Sequence, residues 1–271
     1  MDRRHFMGLG GMAAALFGAG AAEAAPATAT GKTLAEFGIT PDARLDQSAA
    51  MQKAIDELAA SGQPIIIPAG CYRAAKLQLS SKAVVCGIPG LSVLTAPQGS
   101  PVFESLNTGD VSLRGVTFSG TALIARECRN LTISDCQILS SGGDGIVCTG
   151  TGLFVTGNRA AACARAAIWA EGDGMVTNNL VNGPGQFGLR LGGLARLGTL
   201  TVINNRIDGA AVGIGISNSG NGYALISMNL IAGASKGGIR ALIGDELTGN
   251  DLTQGGSEAF RNLAIAVNVS V

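Results

Sequence analysis

"DGMVTNNLVNGPGQFGLRLGG", residues 173–193, is the stretch whose reading decides the fold. It holds two apolar units, "VTNNLV" from Val176 and "GLRL" from Gly188, with Asn179 inside the first and glycine between them. Neither unit keeps a helical period; both have the look of short strands between turn residues. The first unit, apolar-x-x-(Asn or substitute)-x-apolar, recurs along the chain. It appears as "LRGVTF" from Leu113, "ISDCQI" from Ile133, "VTGNRA" from Val155, "VINNRI" from Val202, "ISMNLI" from Ile226 and "LTGNDL" from Leu247. Its fourth position runs Val116, Cys136, Asn158, Asn179, Asn205, Asn229, Asn250, at spacings of 20, 22, 21, 26, 24 and 21 residues. The second unit recurs between these as "GIVC", "AIWA", "GLRL", "GIGI" and "GIRA". Two strands per repeat predict an all-β solenoid, a parallel β-helix whose coils stack about 4.8 Å apart.

In such a stack an inward asparagine at a bend can bond the backbone groups left unpaired by the turn, and its neighbours above and below. Asn158, Asn179, Asn205, Asn229 and Asn250 are therefore expected to form a structural ladder. A leucine-rich repeat competes for "LTVINNRI", Leu200 to Ile207, but requires a helix or helical turn in its other half. That half reads "DGAAVGIGISNSG", Asp208 to Gly220, a strand between glycines.

The remainder of the chain divides around these repeats. "ARLDQSAAMQKAIDELAA", residues 43–60, is the one segment with a helical stripe (Leu45, Ala49, Met51, Ile55, Leu58, Ala59), ended by Ser61-Gly62. Residues 28–62 thus form an N-terminal segment with a capping helix, and residues 63–271 the β-helix repeats. The end, "LAIAVNVSV", shows no capping helix, which suggests an incomplete solenoid and self-association through open strand edges.

The opening "MDRRHFMGLGGMAAALFGAGAAEAAPA", residues 1–27, pairs Arg3 and Arg4 before a glycine-diluted apolar stretch and small residues. This has the form of a twin-arginine signal peptide. It predicts export by that machinery and a periplasmic protein without a stable membrane span. The chain's one histidine, His5, leaves with the signal, which excludes catalytic imidazole and His-ligated zinc. The six cysteines contain no C-x-x-C pair and are expected as buried small apolar residues. Nineteen basic residues balance nineteen acidic ones, so a nucleic-acid partner is not expected.

Aligning the second strands on Ile146, Ile168, Leu189, Ile214 and Ile239 gives an outward file: Val147, Trp169, Arg190, Gly215, Arg240. Thr149, Glu171, Gly192, Ser217 and Leu242 form a file two residues beyond the anchors, and Gly143, Arg165, Gln186, Ala211 and Lys236 one three residues before them. An exposed indole is a stacking surface for a sugar ring and arginine forks a carboxylate. Trp169, Arg165 and Lys236 are thus candidate binding residues for an acidic saccharide, with Arg190 and Arg240 beside them. Glu171 and Asp173 fall at a separation suited to an acid/base pair, with Asp144 on the preceding coil. The same residues also fit a tryptophan packed beneath a loop and charges that merely solvate the face.

The helix followed by "IIIPAGCYRAAKLQL" and the repeats resembles the pectin-lyase-like superfamily of right-handed parallel β-helices. With "DRRHF" at the front, the chain looks like the twin-arginine-translocated repeat family within it. The resemblance implies polysaccharide chemistry. Its polygalacturonase-like and epimerase-like sites need a histidine that the mature chain lacks. Its pectate-lyase-like sites use an arginine base and carboxylate-held Ca²⁺, which would make Arg190 or Arg240 the base and Glu171 or Asp173 an acid or cation ligand. No calcium-loop motif is present, so a Ca²⁺ site would assemble from separate coils. Two functions stay open: a lyase-type enzyme on an acidic glycan, and a non-catalytic scaffold binding a glycan or a cell-envelope partner.

Overall fold

The computed structural model describes residues 33–42, 44–193, 197–217, 222–242, 263–266 and 268–270. The strand ladders are parallel throughout, and each coil contributes to three faces rather than two. Face A carries the residues before the asparagine, such as Ser112–Arg114, Thr132–Ser134 and Gly198–Ile203. Face B carries those after it, among them Arg159–Ala161, Leu180–Asn182 and Arg206–Asp208, in a nine-stranded sheet. Face C carries the second repeat unit, including Phe187–Leu191, Val212–Ser217 and Gly237–Leu242. The expectation of two strands per repeat is corrected here. "VTNNLV" is two strands with the asparagine bend between them, and the face B strand has a single inward residue, too little to show alternation.

Faces C and A are continuous through two long strands, Ile146–Thr156 and Ala166–Thr177. Both bend at glycines. Gly150 and Gly172 hold φ of +140° and +124°, and a Cβ on Gly172 would overlap the Gly150 carbonyl one coil below. Only glycine allows the coils to close at that corner.

Stacked aliphatic files fill the interior: Leu113, Ile133, Val155, Val176 and Val202 from face A, Ile138, Val181 and Ile207 from face B, and Ile146, Ile168, Leu189 and Ile214 from face C, all fully buried. A buried side chain of this size contributes about 1.5–3 kcal/mol, so short strands become stable through stacking.

Among the described residues the asparagine ladder is present. Asn179 Oδ1 accepts from the Asn158 backbone N–H at 3.0 Å and from its Nδ2 at 3.1 Å, while Asn179 Nδ2 donates to Asn205 Oδ1 at 2.9 Å and to the Val155 carbonyl at 3.0 Å. The pattern repeats through Asn205 and Asn229. Above Asn229 the residue is Asn268, whose Oδ1 accepts both Asn229 N–H groups at 3.0 Å. Gly222–Ser227 pairs with Leu263–Ala266, placing Asn268 in the file. Asn250 lies outside the described residues. At the lower end Cys136 donates its backbone N–H to Asn158 Oδ1, and its thiol lies 3.3 Å from the Ser134 carbonyl.

The capping helix is Ser48–Ala60, five residues shorter at its start than the sequence suggests. Asp46 Oδ1 accepts from the Ser48 amide and hydroxyl at 2.9 and 2.6 Å, holding "LDQ" in a turn. Leu45 and Ala49 are therefore exposed, while Met51, Ala54, Ile55, Leu58 and Ala59 cover the first coil. A 3₁₀ turn, Leu34–Phe37, adds to this cap. Among the described residues no helix is long and apolar enough to cross a membrane. The signal segment, residues 1–27, lies outside them.

Candidate functional site

Face C presents the outward file in the register expected: Val147 pairs with Trp169, Trp169 with Arg190, Arg190 with Gly215, and Gly215 with Arg240. The file three residues earlier is joined through the backbone, with Gly143, Arg165 and Gln186 bonded in succession and Lys236 bonded to Ala211. The strand turns its faces between Ala167 and Ile168, both of which belong to the interior, so Ala166 points outward. With Phe187 and Val212 it forms a second apolar cluster on the outside of the sheet, and Trp169 packs on it.

Trp169 is half-buried, not the exposed indole that a free stacking platform would need. Its Nε1–H donates to the Gly192 carbonyl at 2.9 Å. The Arg190 guanidinium lies over its ring, 4.2 Å from the centroid, and 6.0 Å from that of Phe187. Arg190 is only 2% exposed. Stacked on two aromatic rings, it holds the indole in place by cation–π attraction and offers little surface to a ligand. Gly215, the next residue in the file, adds no side chain above it, and Arg240 follows half-buried. Arg165 and Lys236 are exposed.

The acids are held by the scaffold. Asp173 follows the Gly172 bend and so leaves the plane of Glu171; its Oδ1 accepts the Thr199 amide at 2.8 Å. Glu171 lies against Gly193, where a Cβ would overlap its Oε2. Asp144 Oδ1 accepts the Ala166 amide at 2.9 Å, with Arg165 Nε 3.9 Å from its Oδ2. The three carboxylates thus brace turns and strand starts. No group of three or more His, Cys, Asp or Glu side chains that could hold a metal gathers among the described residues.

Sequence reasoning missed Phe187 as the second ring under Arg190. The signal was available: Phe187 lies two residues beyond the anchor-minus-four position, in step with Ala166 and Val212. The cysteines divide as expected only in part. Cys128, Cys136, Cys148 and Cys163 are buried thiols without a disulfide, Cys86 is half-buried and Cys71 is exposed.

A family model described as "Right handed beta helix region" matches residues 103–252, more than half of the chain. No curated protein matches the sequence. Among solved structures the fold is similar to a 1,3-α-1,4-β-D-galactose-4-sulfate-3,6-anhydro-D-galactose-2-sulfate 4 galactohydrolase (16% identity, TM-score 0.62, 79% of this chain and 61% of that one). It is similar also to an iota-carrageenase complexed with iota-carrageenan fragments (14%, 0.60, 80% and 59%). A third is a hyperthermoactive exopolygalacturonase from Thermotoga maritima (13%, 0.56, 81% and 77%). The chain spans about three-fifths of the first two proteins. The TM-scores show a shared fold, and at these identities the likeness is one of fold alone.

Proposed function

We propose, from the premise that this chain belongs to the right-handed β-helix family, that it is a polysaccharide-associated protein whose face C binds an acidic glycan. One observation carries the reading: Trp169, Arg190 and Arg240 share one outward file, and Arg165 and Lys236 stand beside it. Arg165, Lys236 and Arg240 supply cations to carboxylate or sulfate groups, and the indole edge left by Arg190 supplies an apolar contact for a ring. The polysaccharide enzymes among the structural neighbours support a glycan as the ligand class.

Binding is favoured over turnover because Asp144 and Asp173 accept backbone amides and Glu171 lies against Gly193, so all three acids serve the scaffold. In the lyase-type alternative, Arg240 would be the base and Arg240→Ala would abolish product formation without changing affinity. A panel of uronate, sulfated and neutral glycans tests the binding reading. Saturable binding to an acidic polymer is expected, weakened about tenfold or more in an Arg165→Ala/Lys236→Ala variant. Binding to neutral glycans alone, or equal binding by the variant, contradicts it.

Membership of the twin-arginine-translocated repeat family and a periplasmic location are part of the same proposal. They rest on the paired Arg3 and Arg4 and the small residues up to Ala27. Replacement of both arginines by lysine should leave the precursor in the cytoplasm; unchanged export would rule the route out.

A further inference from the structure

We infer that a second acidic-saccharide site lies away from face C, at the corner between faces A and B. The groove there, about 800 Å³, is lined by Arg114, Asp135, Gln137 and Arg159, with Gly115 and Gly157 at the bend. The ridge residue just before each ladder position explains why it opens at this level. Higher up the ridge carries Asn178, Asn204 and Met228, all with positive φ and with side chains on the corner. Lower down it carries Gly115 and Gly157, which leave the corner bare. Asp135 is the side chain between them, and its Oδ1 lies over Gly157. The turn containing Pro89 and Gly90 forms one wall, its Gly90 amide bonded to Thr117 Oγ1 at 3.1 Å.

The charges are spaced along the coil axis. Arg114 pairs with Ser134 and Ser134 with Thr156, three residues before Arg159, so the two arginines stand two rungs apart along the axis, an axial offset of about 10 Å, on either side of the bend. Arg114 Nε lies 3.5 Å from Asp135 Oδ2, and both side chains are largely exposed. The Arg159 guanidinium is exposed and makes no hydrogen bond or ion pair with the described residues. A compact anion would need cations converging on one point. Here cations at an interval, with a carboxylate and an amide between them, fit a chain carrying spaced acidic groups and hydroxyls. The carboxylate and amide are hydroxyl partners, and Asp135 repels a continuous polyanion such as nucleic acid. The ligand class is an acidic oligosaccharide.

The site does not rest on the face C reading, and Trp169 separates the two. It is the chain's single tryptophan and lies on face C, so its fluorescence reports that face alone. Calorimetry of the full chain with trigalacturonate counts all sites. Two equivalents are expected. An Arg114→Ser/Arg159→Ser variant should lose one, by a fall of about tenfold or more in affinity, with the Trp169 titration unchanged. Gln137→Ala should weaken the same equivalent less. Both variants replace groups outside the core, and their unfolding midpoints confirm the fold. An unchanged count in the double variant overturns the second site, as does a wild-type protein with no equivalent beyond that reported by Trp169. If the Trp169 signal is silent while calorimetry records one equivalent lost in the double variant, the corner site stands and the face C reading falls.

Discussion

At the residue scale, Asn179 shows how one side chain replaces the hydrogen bonds that a bend removes. Each ladder amide bonds a backbone N–H and a carbonyl on the coil below as well as the next amide. Asn179→Ala leaves buried donors and acceptors unpaired and should cost about 3 kcal/mol, read as a lower urea midpoint. Cys136 occupies the same position at the ladder's foot with a weaker donor. Cys136→Asn should extend the ladder and stabilise the fold by about 1 kcal/mol; a destabilised variant would contradict the equivalence of the two positions. Burial pushes the thiols of Cys136, Cys148 and Cys163 up to about 12, so in the native state Cys71 should react with a thiol reagent well before any of them.

At the element scale, the corners set the coil more than the strands do. Gly172→Ala would place a Cβ against the Gly150 carbonyl at a φ that other residues rarely adopt. It should cost about 3 kcal/mol or more and loosen the junction of faces C and A, seen as faster amide exchange at Glu171 to Met175. Much of this level was legible in the sequence: the inward files, the register of face C and the ladder positions from Asn158 to Asn229 follow from a repeated apolar spacing. What stayed hidden has physical causes. Face B strands bury one residue per coil, too few to show a period. The window with Asn268 in fourth place, "IAVNVS" from Ile265, ends in serine and so misses the apolar pattern, yet strand pairing places Asn268 in the ladder. Whether Trp169 is open or covered depends on how the neighbouring Arg190 leans, which spacing alone does not specify.

At the scale of the whole molecule, one continuous core stabilises the stack, and its buried thiols make that stability depend on alkaline pH. Their folded pKa values lie above the ordinary 9.0 of the unfolded chain. Stability is therefore complete below about pH 9 and falls as pH rises towards 12, because the unfolded chain ionises first. The urea midpoint should drop between pH 8 and pH 10.5, and drop less in a Cys148→Ala/Cys163→Ala variant. The core also fixes the spacing of everything outside it, so the cations of face C stand at multiples of the rung distance.

The most direct test of that arrangement is the fluorescence of Trp169 during titration with an oligouronate. A saturable change, lost or shifted about tenfold or more in the Arg165→Ala/Lys236→Ala variant, is what a glycan seated on face C produces. An unresponsive Trp169 at concentrations that saturate other acidic-glycan binding would contradict the assignment of face C as the binding surface.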